Sequence, residues 1–332
     1  MMPIHFHLIS RFRRLALVAL ICGCAGVSAF DLQGHRGARG LAPENTLAAF
    51  ERALDIGVTT LELDVGITAD GMVVVAHDPA LNPAITRDAT GQWLPAKGPL
   101  IHSLSLAQLQ AFDVGRTNPA SNYARQFPTQ QARDGERLPT LAALFLLVKA
   151  RGADAVRFNI ETKLNPMNPQ DTASPEEFVS RVLPLIEQSG MASRVTLQSF
   201  DWRTLQLAQQ RMPSLATAYL SIQGNNFDNI RNPGWTAGLR MEDHGHSVAR
   251  MVKAAGGAVW SPFFNNLTGE AVRQAQALGL KVIPWTVNMP SDMQRLMDWG
   301  VDGLITDYPD QLRELMRARG LPLPAAFPKK DG

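Results

Sequence analysis

Apolar positions in this chain follow two alternating rhythms. Short runs of β-branched and apolar residues recur at "FDLQGH" (30–35), "TTLELDVGI" (59–67), "MVVVAH" (72–77), "AVRFNIET" (155–162), "RVTLQSF" (194–200), "LATAYL" (215–220), "AVWSPF" (258–263), "KVIPWTV" (281–287) and "DGLITDY" (302–308). Between most of them the apolar spacing lengthens to that of a helix. Leu47, Phe50 and Leu54 share a helical face, with Asn45 as the expected N-cap and Gly57 as the stop. Residues 174–190, 201–212, 246–256, 269–279 and 291–300 repeat this arrangement, several of them ending in glycine.

Strand and helix in regular alternation imply parallel strands joined by crossover helices, an α/β fold. The second and third runs are separated only by Thr68-Ala69-Asp70-Gly71, too short for a crossover helix and suited to a hairpin-like turn. Discounting that pair as one unit leaves eight repeats in about 300 residues, and the expected architecture is a (β/α)8 TIM barrel. A doubly wound sheet is the alternative, but no G-x-G-x-x-G follows the first strand. Residues 79–139, rich in proline, with several glycines and without a clear period, break the rhythm. Loops of that length tend to be functional. The segment reads as an insertion between the second and third βα units, sitting over the barrel mouth. The expected organisation is one domain over 30–320 and a short tail over 321–332.

The first 29 residues follow a different logic. Arg11, Arg13 and Arg14 precede the apolar run "LALVALICGCAGV", and Val27-Ser28-Ala29 places small residues at a cleavage position. This is the layout of a secretory signal peptide, with an apolar run shorter than the roughly 20 residues of a spanning helix. Export, to the periplasm, is the expectation, with no stable membrane anchor after cleavage; a lipoprotein held through Cys24 is the lesser alternative. Both cysteines, Cys22 and Cys24, leave with the leader, so no disulfide is expected and the fold must rest on its core. The whole chain has 32 basic and 30 acidic side chains. Losing the three leader arginines brings the balance close to neutral, which argues against a nucleic-acid or polybasic membrane surface.

Charged residues inside strands carry the chemistry. In "TLELDVG", Glu62 and Asp64 are two apart and share one strand face, while Leu61, Leu63 and Val65 share the other. Two carboxylates facing one interior repel unless a cation lies between them or one is protonated. Glu161 and Lys163 in "NIETK" repeat the spacing at another strand end. C-terminal strand ends of a barrel open on a common face, so Glu62, Asp64 and Glu161 converge as an all-oxygen set suited to Mg²⁺ or Ca²⁺ and poorly suited to zinc. His35 and His77 also stand at strand ends, and two imidazoles can divide acid and base roles near neutral pH. Arg36 and Lys163 supply fixed positive charge for a phosphate oxygen. No G-x-S-x-G elbow is present, and no cysteine survives cleavage to act as a nucleophile.

Six motifs, "HRGARGLAPENT", "LELDVGITADGMVVVAHDP", "NIETK", "LQSF", "VIPWTVN" and "GVDGLITDYP", run from residue 34 to 309. In this order they resemble the successive motifs of the glycerophosphodiester phosphodiesterase family. The resemblance implies a TIM barrel that hydrolyses glycerophosphodiesters to sn-glycerol 3-phosphate and an alcohol with one divalent cation. It implies His35 and His77 as the acid–base pair, with His77 as the acid, Glu62, Asp64 and Glu161 as metal ligands, and Arg36 and Lys163 as phosphate contacts. Similarity of the leader and insertion to exported bacterial members points to calcium ahead of magnesium. Gln198 in "LQSF" is placed facing the mouth, and Trp285 in "VIPWTVN" is placed to line a glycerol or choline pocket, where cation–π attraction can hold a quaternary ammonium. Asp78 is read as a turn residue, and Asp302 and Asp307 as fixing turns and a helix start. A phospholipase D-type hydrolase of lysophospholipids is the alternative function.

Overall fold

The computed structural model of the chain describes Met1 and residues 29–329. The expected leader, Cys22 and Cys24 included, lies outside the described residues but for its two ends. Nine strands appear among the described residues: β1 (Asp31–Gly34), β2 (Thr60–Ile67), β3 (Val73–Val75), β4 (Arg157–Thr162), β5 (Val195–Ser199), β6 (Ala216–Ser221), β7 (Val259–Pro262), β8 (Lys281–Val282) and β9 (Gly303–Thr306). Eight of them are parallel neighbours in the order β8-β7-β6-β5-β4-β2-β1-β9. Backbone bonds from Asp302 N to Val282 O (2.9 Å), Ile305 N to Pro284 O (3.1 Å) and Val287 N to Ile305 O (2.9 Å) bring the two ends of that row together, so the barrel is nearly closed. The remaining strand, β3, pairs antiparallel with β2, with Val65 opposite Val75, as the short turn between them requires.

Helices α1 (Leu47–Ile56), α4 (Leu141–Ala150), α5 (Pro175–Gln188), α6 (Trp202–Arg211), α7 (Val248–Ala254), α8 (Gly269–Ala277), α9 (Pro290–Asp298) and α10 (Pro309–Ala318) supply the crossovers and the closing element. They pack on the outward strand residues. Leu61, Leu63 and Val65 are fully buried in that layer with Phe50, Leu54, Leu144 and Phe158. Each such side chain contributes about 1.5–3 kcal/mol relative to exposure. None of the helices among the described residues is long and apolar enough to cross a membrane.

The start of α1 departs from expectation. Its N-cap is Thr46, whose Oγ1 accepts from Ala49 N, and Gly57 ends it with φ 87° and a bond to Ala53 O. Asn45 instead adopts φ 55°, a region asparagine tolerates better than most residues, and its amide turns inward to Asp64.

The insertion falls between the second and third parallel strands, β2 and β4, after β3 has folded back. It contains α2 (Leu106–Leu109) and α3 (Asn122–Gln126). Its Leu81, Ile101, Leu109, Val114 and Leu138 form a small separate core with Val74 of β3 and Ala76 just after it. It is tied to the turn after β1: Gln131 N donates to Leu41 O (2.9 Å), Gln130 Nε2 to Arg39 O (2.7 Å) and Thr129 Oγ1 to Gly40 O (2.9 Å). The Arg39 guanidinium lies 4.7 Å from the centre of the Phe127 ring.

Candidate active site

Register places the carboxylates before any side chain is considered. Asp64 on β2 is opposite Glu161 on β4, and Glu161 is opposite Gln198 on β5. Period-two alternation sends all of these, and Glu62, inward. One oxygen from each of Glu62, Asp64 and Glu161 falls within a 4.8 Å group, and all three residues are buried.

Each carboxylate is held differently. Glu62 accepts from Gln198 Nε2 at Oε1 (2.7 Å) and from the Arg36 backbone N–H at Oε2 (2.9 Å). The second bond requires the chain to turn sharply after β1, and Arg36 takes φ 50° to do so. Gly37 follows with φ 86°, and a Cβ there would lie 2.6 Å from the Ala49 carbonyl carbon, so the turn excludes any larger residue. Asp64 Oδ2 accepts from Asn45 Nδ2 (2.9 Å) and lies 3.3 Å from Arg36 Nε. Lys163 Nζ stands 3.1 Å from Asp64 Oδ1 and 2.7 Å from Glu161 Oε1. The other end of Arg36 is engaged by Glu44, at 2.7 Å from Nη1 to Oε1. Both cations expected to meet phosphate therefore also brace the carboxylates.

Electrostatics separate the three acids. Burial, with the charge of Asp64, pushes Glu62 well above the usual carboxylate range. Burial pushes Glu161 up to about 7 against the pull of Lys163. Burial also acts on Asp64, but Lys163 and Arg36 outweigh it and hold Asp64 well below its ordinary value. Asp64 Oδ1 is buried without a hydrogen bond of good geometry. An oxygen-only donor set carrying such an acceptor fits a hard divalent cation.

Both histidines lie close enough to act on Asp64, and each is backed by an acid. His35 Nδ1 lies 2.7 Å from Asp307 Oδ1, and its Nε2 lies 3.9 Å from Glu62 Oε2. Asp307 is gripped by Arg39 through Nε (2.7 Å) and Nη2 (2.9 Å) and by Asn288 Nδ2 (2.6 Å). Arg39 and His35 outweigh burial and keep Asp307 ionised far below its usual range. It can only accept, so Nδ1 of His35 carries the proton and Nε2 presents a lone pair to the carboxylates. Burial, assisted by Arg39, lowers His35 to about 3. His77 Nδ1 lies 2.8 Å from Asp78 Oδ1, and Asn82 Nδ2 donates to Asp78 Oδ2 (2.7 Å). Burial also lowers His77, with Arg36 and Lys163 adding to it, yet its side chain is 31 % exposed against 11 % for His35.

Asp307 and Asp78 thus act as more than turn residues. Asp307 stands one position past β9, and only closure of the barrel brings it beside the residue that follows β1. Its position at the end of the last apolar run was the available signal. Asp302 does serve the backbone, accepting from Val282 N at 2.8 Å. Gln198 faces inward and reaches Glu62. Trp285 joins an aromatic group at the rim: its ring centre is 5.2 Å from Phe200 and 5.6 Å from Phe263, and Phe200 is 5.4 Å from Phe227. The Trp285 indole donates to Ser261 O (2.9 Å), and Lys163 Nζ lies 5.9 Å from the Phe200 ring centre.

The model of the glycerophosphoryl diester phosphodiesterase family matches residues 35–311, and the chain belongs to that family of enzymes. It is similar to a glycerophosphodiester phosphodiesterase of Caldanaerobacter subterraneus, 30% identical over 286 residues, 86% of this chain and 97% of the relative. Among solved structures, a protein of this family from Silicibacter pomeroyi superposes with a TM-score of 0.80 at 36% identity, covering 89% of this chain and 96% of that one. An Oleispira antarctica phosphodiesterase, solved with its product sn-glycerol-3-phosphate, shares the fold with a TM-score of 0.62 at 22% identity, covering 86% of this chain and 96% of that one.

Proposed function

We propose that this enzyme cleaves glycerophosphodiesters to sn-glycerol 3-phosphate and an alcohol by paired histidine acid–base chemistry at a site completed by one divalent cation, calcium ahead of magnesium. The observation that carries this reading is the pair of acid-backed imidazoles, His35–Asp307 and His77–Asp78, close enough to act on Asp64 of the Glu62, Asp64 and Glu161 group. Those three carboxylates would hold the cation, which when bound polarises a phosphoryl oxygen.

The remaining chemistry belongs to the chain's own residues. His35, kept neutral by burial, takes the proton of the attacking hydroxyl at Nε2. A new bond forms between that oxygen and phosphorus. The bond from phosphorus to the alcohol breaks, and the more exposed His77, entering the step as an imidazolium paired with Asp78, delivers its Nε2 proton to the departing alkoxide and is left neutral. Asp307 and Asp78 fix the tautomer of each ring and stabilise the imidazolium when it forms. Arg36 and Lys163 put fixed positive charge beside the phosphate while restraining Asp64. Product analysis for a cyclic glycerophosphate separates attack by the glycerol 2-hydroxyl from attack by water.

The aromatic group of Phe200, Phe227, Phe263 and Trp285 favours one second reading, phospholipase D-type cleavage of lysophospholipids, whose apolar chain it would contact. Purified protein incubated with glycerophosphocholine and with lysophosphatidylcholine, each with and without EDTA, tests both. Faster turnover of glycerophosphocholine that is abolished by EDTA is expected. Turnover of neither substrate refutes the enzymatic reading, turnover surviving chelation refutes the cation, and preference for the lysolipid promotes the second reading. Export to the periplasm is part of the same proposal, supported by the leader pattern. N-terminal sequencing of the mature protein should find cleavage after Ala29; a chain beginning at lipidated Cys24 would show a lipoprotein instead.

A further inference from the structure

Beneath Glu62 a line of side-chain amides descends through the barrel. Gln198 Nε2 donates to Glu62 Oε1 at 2.7 Å, and Asn159 Nδ2 donates to Gln198 Oε1 at 3.0 Å. The same Asn159 nitrogen donates to Gln33 Oε1 at 2.9 Å, and Gln33 Nε2 donates to Asp31 Oδ2 at 3.0 Å. Asp31 is anchored at the far end by Thr60 Oγ1 (2.7 Å) and Arg157 (2.9 Å). Gln33, Asn159 and Gln198 are all buried.

The two ends of this line dictate its polarity. Gln198 and Gln33 each turn their NH₂ outward to an acid, Glu62 and Asp31, and their carbonyl inward to Asn159. A residue lying between two carbonyls has to donate in both directions, and the NH₂ of asparagine has one hydrogen for each. Asn159 Oδ1 is accordingly left buried with no partner. Flipping the amide would set that oxygen against two others, so the unpaired acceptor is the better of the two arrangements. Leucine, serine or aspartate at this position could not donate twice.

We propose that Asn159 is a positioning residue for the cation site. It latches Gln198 with its NH₂ toward Glu62, and with the Arg36 backbone N–H on the other oxygen this holds the Glu62 carboxylate in one orientation. Partners that orient metal-binding carboxylates govern affinity as well as geometry. The inference rests on the proposed cation site and concerns how that site is built.

The test is a calorimetric titration of the whole protein with Ca²⁺ alone. Asn159→Leu is close in size and removes both donors, and the residue borders a cavity of about 390 Å³ at the N-terminal mouth that gives the new side chain room. Its Ca²⁺ affinity should fall roughly tenfold or more, the range seen when outer partners of metal ligands are removed. Gln33→Leu cuts only the lower half of the line and should leave affinity within about twofold of the parent, since the Asn159–Gln198–Glu62 half is intact. Melting temperatures in EDTA separate a loss of fold from a loss of site. Should Asn159→Leu fail to fold, Asn159→Ala, which has no side-chain donor, carries the same expectation. A parent that binds Ca²⁺ and a variant that matches it overturn the inference alone, as do equal losses in Asn159→Leu and Gln33→Leu. A parent that takes up no cation overturns the cation reading together with the inference.

Discussion

His35 and Asp307 are 272 residues apart in sequence and 2.7 Å apart across the seam where the barrel closes. The contact follows from the pairing of β1 with β9, in which Gly34 is opposite Thr306. The residues just beyond that pair therefore face each other at the rim. Asp307 also carries Arg39 and Asn288, so it ties His35 to the turn after β1 and to the segment after β8.

Replacing Asp307 with asparagine removes the charge and permits the wrong tautomer of His35. The expected result is a fall in kcat of roughly 10²- to 10⁴-fold, the scale set by losing the acid behind a catalytic imidazole, with little change in KM for glycerophosphocholine. Steady-state kinetics on protein shown to be folded by circular dichroism checks it. A kcat within about threefold of the parent would remove Asp307 from the mechanism.

His77 as the proton donor predicts a dependence on leaving group. His77→Ala should slow glycerophosphocholine by roughly 10²-fold or more while slowing a p-nitrophenyl phosphodiester far less, because nitrophenolate departs without a proton. Equal losses on both substrates contradict the assignment.

Lys163 sits between Asp64 and Glu161, at 3.1 and 2.7 Å. Lys163→Met leaves those two buried acids facing each other. Breaking a buried pair by removing one partner costs about 3–5 kcal/mol, so the melting temperature in EDTA should drop clearly. Excess Ca²⁺, supplying charge to the same oxygens, should recover much of the drop. Scanning fluorimetry with and without Ca²⁺ reads both, and an equal drop in the two conditions would show that the lysine and the cation do not share the carboxylates.

Cation affinity should depend on pH in a definite sense. Burial pushes Glu161 up to about 7 and raises Glu62 as well, so protons compete with the cation below neutrality. Affinity should rise roughly tenfold from pH 6 to pH 8, with proton release on binding. His35, lowered to about 3, stays neutral throughout that window and contributes nothing to it. Calorimetry in two buffers of different ionisation enthalpy measures the affinity and the protons released. An affinity that does not change with pH would place the protonated acid elsewhere.

Much of the barrel and part of its rim were legible without coordinates. Alternation in "TLELDVG" separates Glu62 and Asp64 from Leu61, Leu63 and Val65, and the structure has the acids inward and the apolar residues in the helix layer. The four-residue turn at 68–71 identifies β3 as a hairpin strand. Asn45 shows where local reasoning stops. As a helix-capping residue type before an apolar run it reads as a cap, yet Thr46 does that work and Asn45 crosses to Asp64, 19 residues on. Arg36 and Lys163 read as cations available to phosphate, but their restraint by Glu44, Asp64 and Glu161 needs the strands in register.

The sequence by itself determined the alternation of strand and helix, the three inward carboxylates and the two strand-end histidines. Each of these is a matter of periodicity or of neighbours within a few residues, set by the geometry of a single strand or helix. Tertiary structure alone decided which acid stands behind which histidine, what occupies each oxygen of Glu62, and the amide line through Asn159. These depend on barrel closure and on register between strands far apart in the chain, where a shift of one residue turns an inward side chain outward.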